Sequence, residues 1–345
     1  MSKRLYGNLL LFAVVLTALV VVLGAYTRLA DAGLGCPDWP GCYGHMVAPI
    51  TDAEIARAEQ EHPWRPVDFP SAIKEMVHRY FAGGLILTVF VLMVLAWKNY
   101  RREDMPVGLA TFVMALILLQ AVLGMWTVTW KLKPIVVTGH LLGGFATLAL
   151  LWLMVLRMRR IDICSAKGVT AGFKFAGFTG LIIVIAQIAL GGWTSSNYAA
   201  LSCPDFPTCQ TQWWPPMDWA EGFVLWRGTG PNYEFGVLES DARTAIHMAH
   251  RIGAMLTFLY IVALSIKVMR ADVSRVLKRI AGIVMIVLLI QVSLGTSNII
   301  FSLPLAVATA HNAVGAMLLL SMVTLVYAMY CRSGPNTKIG FADNG

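Results

Sequence analysis

The sequence predicts an all-α integral membrane protein whose eight transmembrane helices form two parallel-repeat four-helix bundles. Three observations carry that prediction. Of 345 residues, 57% are hydrophobic and only 13% are charged, against about a quarter charged in ordinary soluble domains. Eight stretches reach the roughly 20 apolar residues that a bilayer core of about 30 Å demands of a crossing helix. Motifs in the first four stretches recur, in order, in the last four. The composition argues against a soluble enzyme and against a disordered or fibrous chain.

The spans are placed at 7–27, 77–97, 107–128, 136–156, 173–195, 246–267, 280–300 and 306–330. All are read as helices, because lipid offers backbone groups no partner outside their own segment. The first runs from Leu9 to Tyr26, too long for a signal-peptide core, and no small-x-small cleavage site follows it. The net charge of +8 reports topology rather than nucleic-acid binding, since no basic patch with aromatic interleaving is present. Seventeen of the 27 Lys and Arg lie at the termini and in the loops on their side, and eight on the other side. Arg79 and Arg251, at helix starts, complete the set. The positive-inside rule then places both termini in the cytoplasm, with the long loops 28–76 and 196–245 facing outward.

The repeat divides the chain into an N-terminal bundle, 1–160, and a C-terminal bundle, 161–345. The first span ends Gly24-Ala-Tyr-Thr27 and the fifth Gly191-Gly-Trp-Thr194; each leads into a Cys-Pro-Asp loop. The third carries Gln120-Ala-Val-Leu-Gly124, the seventh Gln291-Val-Ser-Leu-Gly295. The second and sixth carry Glu75-Met-Val-His78-Arg79 and His247-Met-Ala-His250-Arg251. The fourth and eighth open with Thr138-Gly-His140 and Thr309-Ala-His311. Both copies enter the membrane in the same direction, as parallel repeats do.

The cysteines divide by side. Cys36 and Cys42 share one outer loop, Cys203 and Cys209 the other. An oxidising outer compartment favours disulfides Cys36–Cys42 and Cys203–Cys209; free thiols, a metal clip or a redox-active pair are the alternatives. Cys164 and Cys331 fall on the terminal side and are expected to stand without partners.

Five of the seven histidines sit at the starts of the second, fourth, sixth and eighth spans, read as first-turn positions. A single histidine on an apolar face is usually a satisfied core residue. Matched depth and duplication favour a function, because ionisable groups in a membrane are costly. One imidazole from each of two helices is what bis-histidine haem ligation requires: His78 with His140, His250 with His311. A zinc or copper site would want three or four converging ligands. Small residues follow each histidine, among them Gly83, Gly84, Gly143, Gly144, Gly253 and Gly315; they would let a flat macrocycle lie on the helix backbone, unless they serve ordinary helix packing. Arg79 and Arg251 suit haem propionates, or snorkel to the interface. Where the second copy has His247, the first has Glu75. A carboxylate beside only one site suggests that the first handles proton chemistry and the second electron transfer.

The ordered set Gly24-x-x-Thr27-Arg28, Cys36-Pro-Asp-Trp-Pro-Gly-Cys42, Glu75-x-x-His78-Arg79, Gly139-His140, His247-x-x-His250-Arg251 and His311-Asn312 resembles the haem A synthase family. Leu225-Trp226-Arg227-Gly228 and Gly230-Pro231-Asn232-Tyr233-Glu234 are similar to it too. The resemblance runs from about residue 8 to 330. It implies oxidation of a haem O methyl to a formyl group, through a hydroxylated intermediate, in cytochrome oxidase assembly in a bacterial plasma (inner) membrane. It implies haem b as cofactor on His250 and His311, haem O as substrate near His78 and His140, Glu75 tied to activity, and an outer-loop cysteine pair that is a disulfide in some members. Expected partners are membrane lipid, the haem O synthase that delivers substrate, and an electron acceptor that no motif names. The Trp-rich loops leave room for a homo-oligomer. The alternative is a diheme cytochrome b that relays electrons and leaves its haems unmodified.

Overall fold

The computed structural model describes residues 3–102, 105–158, 163–164, 168–228 and 230–331. Arg159, Arg160, Lys167, Arg332 and Lys338, which entered the charge count, lie outside the described residues, as does the 160–161 boundary. The helices are α1 (Lys3–Leu29), α2 (Asp52–Glu61), α3 (Phe69–Lys98), α4 (Val107–Thr129), α5 (Pro134–Met158), α6 (Ala171–Ser196), α7 (Trp219–Gly222), α8 (Ser240–Arg270), α9 (Arg275–Ile300) and α10 (Leu305–Tyr330). Eight of these, all but the short loop helices α2 and α7, are long and apolar enough to cross a membrane. The protein is multi-pass.

The spanning helices run longer than their apolar cores. α3 begins at Phe69, with Pro70 in its first turn, where a missing N–H costs nothing. α8 begins at Ser240. The histidines therefore do not sit in first turns, as apolarity alone suggested. They lie six to ten residues inside their helices, roughly 9–15 Å from the end at 1.5 Å per residue. Polar residues with adequate helix propensity extend the helix beyond the greasy segment, and hydropathy cannot see that extension. In the first long loop, Thr51 caps α2 through a capping box with Glu54, the reciprocal arrangement expected of Thr-x-x-Glu.

Helices α1, α3, α4 and α5 pack in a ring, each on the next, and α6, α8, α9 and α10 do the same. The rings meet where α1 touches α10, α5 touches α6, and α5 touches α10. Exchanging the halves exchanges the first two contacts and returns the third to itself, so the interface is pseudo-twofold. Each ring has its dense apolar core toward the face that bears the termini. One core is built on Tyr6, Leu10, Leu92, Leu148 and Met154, the other on Ile261, Leu277, Val284, Met322 and Leu325. The histidines occupy the opposite half of each ring, beneath the long loops.

Polar contacts tie the halves together at both faces. Toward the termini, Trp152 donates to Thr324 at 2.8 Å. At the loop face, Arg28 donates to the Ser195 carbonyl at 2.7 Å and lies over the Tyr198 ring. Cys164 and Cys331, expected to be unpartnered, are bonded to each other with their Cα atoms 5.2 Å apart. The packing of α5 on α10 brings the segment after α5 to the C-cap of α10, a juxtaposition that a separation of 167 residues conceals.

Candidate functional site

Each of the four ring histidines faces a glycine on a neighbouring helix. A Cβ placed on Gly24 would lie 2.8 Å from His78 Cε1, and one on Gly295 3.1 Å from His311 Cε1. The corresponding distances are 3.4 Å for Gly124 and His140, and 3.2 Å for Gly191 and His250. The missing side chains make room for an imidazole ring between two helices. His78 and His140 lie on the diagonal helices α3 and α5 of one ring, and His250 and His311 on the diagonal helices α8 and α10 of the other. Among the described residues no three His, Cys, Asp or Glu side chains gather around a metal-sized point, so each half offers a pair.

Three of the four imidazoles have a ring nitrogen that a ligand could satisfy. His78, His140 and His311 each keep a buried Nδ1 without a hydrogen-bond partner. Orphaned nitrogens are expensive in so apolar a setting, and iron ligation relieves that cost when the ring turns to it. The small residues after the histidines divide in two. Nothing lies within 4 Å of a Cβ built on Gly83 or Gly84. Gly143, Gly253 and Gly315 instead lie against the amides of Gln120, Gln187 and Gln291. At those three the glycine admits a glutamine, a correction to the reading that all of them clear a flat ligand.

Above the histidines, both Cys-Pro-Asp loops are built alike. Cys36 and Cys42 are bonded, as are Cys203 and Cys209. The aspartate caps the turn that follows: Asp38 accepts from the amides of Tyr43 and Gly44 at 2.6 and 2.8 Å. Asp205 accepts from those of Gln210 and Thr211 at 2.6 and 3.0 Å. A hydrogen bond from the Thr208 hydroxyl, joined by these two amides, holds the Asp205 carboxyl below its ordinary range. The loop is then pinned to the helix. Glu75 Oε2 accepts the Cys36 amide at 2.9 Å, and His247 Nδ1 accepts the Cys203 amide at 3.2 Å.

The arginines complete that anchor. Arg79 donates to Glu75 Oε1 at 2.5 Å and to the carbonyls of Asp38, Pro40 and Gly41. Arg251 reaches His247 Nε2 at 3.3 Å and donates to the carbonyls of Cys203, Asp205 and Thr208, each at 2.8 Å. In this arrangement both guanidinium groups serve loop carbonyls; a propionate would compete with three of them in either half. Glu75 and His247 are both buried and do the same structural work with different chemistry.

The second long loop crosses to the first half. Arg65 donates to both carboxylate oxygens of Glu234, at 3.1 and 2.9 Å. Lys133 is buried, donates to the Gly228 carbonyl at 2.5 Å and lies 3.0 Å from the centroid of the Trp226 ring; burial lowers its pKa. Tyr233 N donates to the Lys131 carbonyl at 3.0 Å. The motifs 225–228 and 230–234 thus cover the loop between α4 and α5. The sequence reading missed the four facing glycines and the glutamines as site residues. Their signal was present as a Gln-x-x-x-Gly repeat in α4, α6 and α9.

Fold and site define a class: a duplicated eight-helix membrane protein with a half-buried histidine pair beneath a cysteine-stapled loop in each half. The COX15-CtaA family model, described as cytochrome oxidase assembly protein, matches residues 7–323, and the chain belongs to this family. It is 45% identical over 331 residues to a protein of Shewanella oneidensis named heme A synthase, covering 96% of this chain and 98% of that one. Proteins of the same name from Methylobacterium radiotolerans and Chelativorans sp. are 27% and 25% identical. They cover 94% and 92% of this chain, and 90% and 89% of their own lengths.

Proposed function

We propose that this chain acts as a haem A synthase, oxidising a ring methyl of haem O to a formyl group through a hydroxylated intermediate. The product serves cytochrome c oxidase biogenesis. One observation carries the reading: a duplicated scaffold repeats its histidine pair and loop anchor, yet places a carboxylate at Glu75 and an imidazole at His247. The long, near-complete match to a protein named heme A synthase supports it.

In this reading residues 1–160 receive substrate haem O between His78 and His140, and residues 161–345 hold haem b between His250 and His311. Bound there, haem b supplies one-electron redox chemistry. The rest falls to the chain. Gly24, Gly124, Gly191 and Gly295 set the imidazoles between helices. The apolar cores and the stapled loops exclude water from either end. Glu75 is held by the Cys36 amide and by Arg79, and a carboxylate retains further lone pairs; it is the group placed to accept a proton released beside the first site. The loop face is outward and both termini are cytoplasmic, in a bacterial plasma membrane. Haem O synthase, as a complex partner, delivers the substrate, and an electron acceptor completes the turnover.

The test is chemical. The full chain is purified from cells that make haem O, and its pigments are extracted, chromatographed and weighed. Formyl or hydroxymethyl haem beside haem b is the expected result. Unmodified haem b alone, despite available haem O, would replace the enzyme with an electron relay.

A further inference from the structure

The bonded cysteines are of two kinds. Cys36 and Cys42 are six residues apart, as are Cys203 and Cys209, in loops whose carbonyls Arg79 and Arg251 gather. All four are sealed: Cys36, Cys42 and Cys203 are 0% exposed and Cys209 is 1% exposed. Cys164 and Cys331 are 167 residues apart, and both are partly exposed. They lie at the face that bears the termini, opposite the long loops.

Contacts that involve no sulfur bring this pair together. α5 packs on α10, where Trp152 donates to Thr324 at 2.8 Å and the Tyr327 hydroxyl to the Leu156 carbonyl at 3.5 Å. Cys331 is the C-cap of α10, and its amide donates to the Tyr327 carbonyl. Ile163 and Val169, on either side of Cys164, pack against the second-half core. The Cα atoms are 5.2 Å apart, inside the range a disulfide needs. Packing holds that spacing whether or not the sulfurs are joined, so the bond can open and re-form without refolding. The outer pairs offer a soluble reductant no such access.

Resting on the orientation given above, which turns this face to the cytoplasm, we propose that Cys164 and Cys331 form a reversible thiol–disulfide site that a small soluble disulfide of the glutathione type oxidises, while the outer pairs stay bonded. The cytoplasm keeps thiols reduced, and exposed disulfides are the labile ones. The dithiol is therefore the resting form and oxidation is the event. One cysteine thiolate attacks the soluble disulfide, forms a mixed disulfide and releases one small thiol. The other cysteine thiolate then displaces the second small thiol. Two cysteine thiols and one small disulfide become one protein disulfide and two small thiols, so atoms and electrons balance. The bond ties the segment entering α6 to the end of α10 and closes the second half into a covalent ring. α10 carries His311 and packs on α1, α5, α6 and α9. The site thus fixes the inner end of a helix shared by the second histidine pair and the contact between halves.

The experiment uses the full chain in inverted membrane vesicles, equilibrated in glutathione buffers from fully reduced to fully oxidised. A membrane-impermeant, polymer-tagged maleimide then marks free thiols, and a gel shift counts them. Both inner thiols are tagged in reduced buffer and neither in oxidised buffer, while the outer cysteines stay untagged throughout. In Cys164→Ser and Cys331→Ser the remaining thiol is tagged in reduced buffer and takes up one glutathione in oxidised buffer, read by mass. The purified wild type unfolds at a higher temperature oxidised than reduced, as closing a long loop requires, and both serine variants lose that difference. Inner cysteines that stay untagged at every ratio would be a fixed staple and would overturn the proposal. Inner thiols tagged at every ratio, or inner and outer pairs opening at the same ratio, would overturn it too. Tagging in right-side-out vesicles but not in inverted ones would overturn the orientation and with it the cytoplasmic oxidant, whereas the glutathione series on purified protein would still read the chemistry of the pair, which separates the two failures.

Discussion

The two halves hold their loops in the same way and differ at the residue that does the holding. Glu75 and Arg79 anchor Cys36–Cys42; His247 and Arg251 anchor Cys203–Cys209. In each half the first cysteine amide is donated to a side chain four residues before an arginine, and that arginine gathers three loop carbonyls. Equivalence of structure with inequivalence of chemistry is what duplication followed by specialisation produces. A side chain that only had to accept one amide proton could be either residue. The difference between carboxylate and imidazole is therefore where a difference of function should be sought.

The comparison breaks most visibly at the histidines. His250→Ala or His311→Ala should remove haem b from the purified protein. His78→Ala or His140→Ala should remove haem O-type pigment and leave haem b in place. Extraction and chromatography read both, and loss of the same pigment from all four variants would abolish the division between halves. The arginine anchors come next. Arg79→Met leaves the buried Glu75 carboxylate without its cation and should cost about 3–5 kcal/mol. Arg251→Met leaves an imidazole that can stay neutral, and should cost about 1.5–3 kcal/mol. Thermal unfolding in detergent ranks the two; the opposite order would mean that Glu75 does not depend on Arg79.

Smaller effects test the contact between halves. Arg65 and Glu234 form a largely buried pair, 21% and 6% exposed, that joins the two long loops. A double-mutant cycle with Arg65→Ala and Glu234→Ala should give a coupling of about 1–2 kcal/mol. A coupling near zero would show that the loops close independently. Smallest is a pH effect on the first loop. The Tyr43 phenol donates to the carbonyls of Arg65 and Pro66, and burial raises its pKa to about 12. A raised folded value adds stability that is complete below the ordinary phenol range near 10 and is lost as pH rises through 12. Proteolysis of 36–68 should therefore accelerate between about pH 10 and 12, and Tyr43→Phe should flatten that rise.

Much of this was legible in the chain. The eight spans follow from apolar length, and the repeat exposed the histidine pairs, both Cys-Pro-Asp loops and the contrast of Glu75 with His247. What stayed hidden has physical reasons. Hydropathy marks where a helix meets lipid, so it placed the start of α3 near His78 when the helix begins at Phe69. Cys164 and Cys331 meet through helix packing, which no local pattern records. Gly143, Gly253 and Gly315 looked like clearance for a flat ligand because a glycine in sequence does not say what enters the space it leaves. Arg79 and Arg251 suited an anionic ligand equally well, since loop carbonyls and carboxylates draw the same donors.

The most direct test of the central claim sets Glu75→Gln beside His247→Gln. Both substitutions keep an acceptor for the cysteine amide, so both should keep the loops anchored and the haems bound. The conversion of haem O is then measured in each variant by pigment chromatography. The account predicts that Glu75→Gln lowers conversion by roughly 10²- to 10⁴-fold, the range for loss of a general base, while His247→Gln stays within a few-fold of the wild type. Full conversion in Glu75→Gln, or an equal fall in both variants, would contradict it.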